Sequence, residues 1–102
     1  MVRSFSYAAY SSLINYTARR AGELASLEPW AQLWERCVVT EFLRAYRQTA
    51  RGAMFLPENG ADFRSLLDIF TVDKALYEVL YELNARPAWV RIPLMGIMSL
   101  QL

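Results

Sequence analysis

Apolar residues return every three or four positions along most of this chain, the rhythm of helices that bury one side. Near the start, Phe5, Ala8, Ala9, Ser12, Leu13 and Tyr16 share a face and predict a first helix from Met1 to about Arg20. Residues 21–28 either extend it or connect it to the next; Ser26 can cap, and Pro29 suits the first turn of a second helix. After Pro29 no Gly or Pro intervenes before Gly52, and Trp30, Trp34, Cys37, Val38, Glu41, Phe42, Ala45 and Tyr46 form a mostly apolar stripe, predicting a helix to about Ala50. Arg51-Gly52 terminates it. The loop that follows carries Pro57 and Asn59-Gly60, and its Met54-Phe55-Leu56 run is expected to tuck against the core.

Asp62, or Asn59 before it, can cap a third long helix reaching about Asn84. It carries two apolar lines: Leu66, Ile69, Leu76, Leu80 and Leu83 on one, and Phe63, Leu67, Phe70, Lys74, Tyr77 and Tyr81 on the other. Two adjacent stripes predict burial of a broad face. Pro87 pushes Arg86 out of helical geometry, a turn follows to Arg91, and a last short helix is expected from near Pro93. The fold expected is all-α: three long helices and a short C-terminal helical segment in a single helical domain, or part of one, over residues 1–102.

Composition sharpens this picture. A chain of 102 residues, 55% hydrophobic and 21% charged, is more apolar than a small soluble domain needs, which predicts apolar surface awaiting a partner. A net charge of +1 supplies no basic field for nucleic acid or an anionic membrane. No signal-peptide pattern and no apolar run of about 18 residues occurs, so a cytoplasmic, non-membrane protein is expected. Cys37, the single cysteine, reads as a small buried hydrophobe. With no histidine, the commonest general base and metal ligand is missing.

Among candidate chemistries, Lys74, Tyr77 and Tyr81 stand at i, i+3 and i+7 on one helical face. Tyrosine rings can stack on the apolar face of a sugar while hydroxyls and an ammonium bind its oxygens. Spacing alone favours a plain amphipathic helix with a snorkelling lysine. Glu78 and Glu82 could pair for acid/base or metal work, but a solvated face is the simpler reading. Arg44, Arg47 and Arg51 fit compensation of a helix dipole better than phosphate binding, and Trp30 and Trp34 read as core or interface anchors. No Gly-rich phosphate loop, Gly-x-Ser-x-Gly motif or metal-binding aspartate signature is present.

The run Lys74-Ala75-Leu76-Tyr77-Glu78, then Tyr81-Glu82, then Asn84-Ala85-Arg86-Pro87-Ala88-Trp89-Val90-Arg91-Ile92-Pro93-Leu94, resembles the C-terminus of the maltokinases, including those fused to trehalose synthase. The opening Met1-Val2-Arg3-Ser4-Phe5-Ser6-Tyr7-Ala8-Ala9 is similar to the family's segment that follows its metal-binding Asp-Phe-Glu motif. The resemblance implies the end of the helical C-lobe of an aminoglycoside-phosphotransferase-like kinase. Such an enzyme transfers the γ-phosphate of ATP, with Mg²⁺, to maltose, giving maltose 1-phosphate for α-glucan (glycogen) synthesis. It further implies that Lys74, Tyr77 and Tyr81 line the maltose site, with Glu78, Trp89 and Arg91 as weaker members. The family's nucleotide lobe and catalytic aspartates have no counterpart in this sequence, so the chain is expected to hold no ATP or Mg²⁺ and to be inactive alone. Expected partners are maltose, a chain supplying the missing lobe, or a second copy. The alternative is a helical interaction or dimerisation module derived from such a kinase.

Overall fold

The computed structural model describes residues 1–20 and 22–100 and is all-α, with three long helices and a short C-terminal one. The helices are α1 (Val2–Thr17), α2 (Glu23–Thr49), α3 (Gly60–Ala85) and α4 (Arg91–Met98), with a single 3₁₀ turn at Pro87–Trp89 before α4. Among the described residues there is no strand, and no helix is long and apolar enough to cross a membrane. The helices form two compact units, Met1–Thr49 and Ala50–Leu102.

In the first unit α1 packs on α2. Gly22, at φ 86°, turns the chain between them in a conformation that a Cβ disfavours. The α2 helix starts at Glu23, earlier than the sequence predicts, so Pro29 lies inside it rather than at its first turn. Proline has no N–H, so the carbonyl of Ala25 loses its helical donor. The helix continues through this gap because Leu24, Leu27, Ala31, Val38, Phe42 and Leu43 maintain one half-buried face across it.

That inward face is not the stripe the sequence offers. Trp30, Trp34 and Cys37 are exposed, so neither tryptophan anchors the core and the cysteine is not buried. The face of α1 is rotated as well: Arg3, Ser6, Ala9, Tyr10 and Leu13 are buried, while Tyr16 is exposed. Polar groups cause the rotation. The Arg3 guanidinium donates to Ser6 Oγ at 3.0 Å, and Ser6 in turn donates to Glu35 on α2. One turn on, Gln32 Nε2 donates to the Tyr10 hydroxyl at 3.1 Å, and that hydroxyl donates to Glu28 at 3.5 Å. Aromatic packing closes the far end, with Phe5 edge-on to Phe42 at 5.6 Å.

Ser6→Ala is expected to destabilise the chain by about 1.5 kcal/mol, because it removes the hydroxyl shared by two charged groups near the interface. Urea unfolding followed by circular dichroism measures this; a change within error would show that the hydroxyl contributes nothing.

In the second unit, Asn59 caps α3, its Oδ1 accepting from the Ala61 N–H at 2.7 Å. Met54 and Phe55, expected to tuck inward, are exposed. The turn at Pro87–Trp89 and α4 fold back against α3, and the core between them holds Ala75, Ile92 and Pro93. Ala75 is 0% exposed, its small side chain letting α4 approach closely. The α4 helix starts at Arg91, two residues before Pro93, which sits in its first turn where no N–H is needed.

The broad burial predicted for α3 is not found. The side facing α4 carries Ala75, Glu78 and Glu82, and both glutamates are buried, against the expectation of a solvated face. Leu66, Ile69, Phe70, Leu76, Leu80 and Leu83 point outward and are exposed. The Glu82 carboxylate has a counter-charge at the helix end: Arg86 Nη2 lies 2.6 Å from Glu82 Oε1.

Candidate functional site

The residues singled out for sugar binding lie on the last three turns of α3 and the segment after it. Lys74, Tyr77 and Tyr81 share a helical face and are all exposed, the tyrosines at 61% and 50%. The Lys74 ammonium sits 4.9 Å from the centre of the Tyr77 ring, a cation–π contact at the surface. Farther along, the Arg86 guanidinium lies 5.7 Å from the Tyr81 ring centre and 4.2 Å from that of Trp89. Arg86 therefore links the end of α3 to the turn that follows.

Arg86 is the functional candidate that the sequence pattern treats only as a helix terminator. Its backbone N–H donates to the carbonyl of Glu82 at 2.8 Å, and at φ −144° and ψ 74° it has left helical geometry, as a residue before proline does. Its side chain then meets a carboxylate and two aromatic rings at once. The i, i+4 spacing from Glu82 and the flanking Tyr81 and Trp89 are the signals that could have singled it out.

Glu78 lies on the buried side of α3, and Arg91 on α4. Glu78 is buried on the same side of α3 as Glu82, one turn before it. Arg91 opens α4, where its Nε approaches Met95 Sδ at 3.3 Å. The structure thus joins Lys74 with Tyr77, and Tyr81 with Arg86 and Trp89.

Of the arginines on α2, Arg44 donates from Nε and Nη2 to Glu41 Oε2 at 3.2 and 2.8 Å. That hydrogen bond first, and the partner's opposite charge second, hold the Glu41 carboxyl below its ordinary range and raise Arg44. The stability involved is present above the ordinary glutamate range and is lost as pH falls through the depressed value; being fully exposed, the pair adds little. Among the described residues no three Cys, Asp or Glu side chains converge as a metal site requires. Mg²⁺ and ATP enter only through the resemblance.

No protein-family model matches the chain, and no solved structure matches it significantly. The resemblance to the maltokinases therefore rests on the sequence alone, chiefly on Lys74 to Leu94.

Proposed function

We propose that this chain is the acceptor-sugar side of a maltokinase-like phosphotransferase, binding maltose on the Lys74–Tyr77–Tyr81 face and performing no phosphoryl transfer by itself. The observation that carries the reading is the contact of an ammonium with an exposed tyrosine ring, with Tyr81 on the same face and the Arg86–Trp89 stack beside Tyr81. Aromatic faces accept the C–H side of a pyranose, while Lys74 Nζ, the tyrosine hydroxyls and the Arg86 N–H groups suit its oxygens. ATP and Mg²⁺ belong to the catalytic lobe that the resemblance implies, in a cytoplasmic enzyme of α-glucan metabolism. An open half-site of this kind binds weakly, because it covers only one side of the sugar.

Maltose titration of the full chain, read by Trp89 fluorescence on a Trp30→Phe, Trp34→Phe background, tests this. A saturable change in the millimolar range is expected, on the order of ~10 mM, and Lys74→Ala or Tyr77→Ala should weaken it about five-fold or more. No response up to about 200 mM maltose, or a response that both variants leave intact, overturns the sugar site. With ATP and Mg²⁺ added, no maltose 1-phosphate is expected, and turnover at an ordinary kinase rate would refute the non-catalytic part.

A further inference from the structure

Eight exposed large apolar side chains lie on α3: Leu66, Ile69, Phe70, Leu76, Tyr77, Leu80, Tyr81 and Leu83. Their arrangement is regular. Leu66, Ile69, Asp73, Leu76, Leu80 and Leu83 alternate in steps of three and four, the spacing of the a and d positions of a coiled coil. Phe70 and Tyr77 widen one flank of this seam, and Val72 and Val79 the other. The opposite side of α3 is already occupied by α4, so the seam is a second packing face of the same helix.

We propose that this face is the interface of a symmetric dimer, in which α3 packs antiparallel against α3 of a second copy of the chain. The area is sufficient. The five aliphatic seam residues are 37% to 65% exposed and Phe70 and Tyr77 more than 60%, which amounts to roughly 800 Å² per copy. Burial of about three-quarters of this from two copies gives about 1,200 Å², the lower edge of standard stable interfaces. A helix this long, 26 residues, presents the whole seam to one straight partner.

Asp73 sets the direction. In a parallel pair each a residue faces its own copy, so the two Asp73 carboxylates would meet in one layer. In the antiparallel pair a faces d: Leu66 opposes Leu83 of the second copy, Ile69 opposes Leu80, and Asp73 opposes Leu76. The two carboxylates then fall in neighbouring layers, and the helix dipoles run in opposition. One polar residue in an otherwise apolar seam fixes register while costing affinity. The seam borders the sugar face: Lys74 and Tyr81 lie beside it, whereas Tyr77 belongs to both, so the dimer would cover one of the three residues of the sugar reading.

Sedimentation equilibrium of the full chain between about 5 and 500 µM should show a monomer–dimer equilibrium. Leu80→Glu should weaken association about 30-fold with helicity retained, since Leu80 is outside the core of the single chain. Asp73→Leu should tighten it about ten-fold, a gain that misfolding cannot imitate. On a Cys37→Ser background, Ile69→Cys mixed with Leu80→Cys should give a disulfide-linked dimer on oxidation, and neither variant should do so alone. A chain that stays monomeric throughout overturns the proposal. A dimer indifferent to both Leu80→Glu and Asp73→Leu, or Leu80→Cys chains that cross-link to themselves, overturns it equally.

Discussion

Replacing Arg86 with alanine is expected to lower the stability of the chain by about 3 kcal/mol, a large part of what a domain of this size has. The effect follows from the unequal surroundings of its ion pair: Glu82 is 0% exposed, whereas Arg86 is 44% exposed. One carboxylate oxygen takes the guanidinium at 2.6 Å, and the other, Oε2, has no hydrogen-bond partner among the described residues. Without Arg86 the buried carboxylate keeps the cost of leaving water and loses its counter-charge, and removing one partner of a buried pair is far more damaging than replacing both. The double variant Arg86→Ala, Glu82→Met should therefore recover most of the loss. Chemical denaturation of the wild type, both single variants and the double variant forms a cycle that isolates the coupling. If the double variant is as unstable as Arg86→Ala alone, the damage comes from lost stacking on Trp89 and Tyr81, and the electrostatic account fails.

This pair also shows where sequence reasoning ends. The helices were legible because their period, the Asn59 cap and the breaks at Gly52 and Pro87 are local properties of the chain. Which side of a helix faces in is not local. Hydrophobic periodicity places a stripe but not the neighbour that covers it, and on α3 the stripe of leucines lies opposite the side that receives α4. Small Ala75 admits that neighbour, and Glu82 tolerates burial only because Arg86 lies one turn on. On α2 the bulk of Trp30 and Trp34 drew the stripe toward the wrong face, since Gln32 and Glu35 are held inward by hydroxyls on α1. For the candidate site, the i, i+3, i+7 pattern of Lys74, Tyr77 and Tyr81 was readable. The role of Arg86 was not, because it arises from the fold-back at Pro87 that brings Trp89 to the guanidinium.

If α3 has one face filled by its own chain and one reserved for another, the two faces should respond differently to the same chemical change. Ile92 is 2% exposed in the α3–α4 core, so Ile92→Ala should cost about 3 kcal/mol at any protein concentration, combining lost burial with the cavity it leaves. Ile69→Ala removes the same atoms from the outward seam, where Ile69 is 64% exposed. In dilute protein it should cost under about 0.5 kcal/mol, within the range of surface substitutions. At concentrations that populate the dimer its cost should rise, because association stabilises the folded chain by mass action and the variant weakens association. Thermal unfolding of wild type and both variants across a hundred-fold concentration range separates the cases: a midpoint that rises with concentration for wild type and Ile92→Ala, and rises less for Ile69→Ala. Equal, concentration-independent losses for the two isoleucines would mean that Ile69 is already covered within the single chain. The two-faced account of α3 would then be wrong.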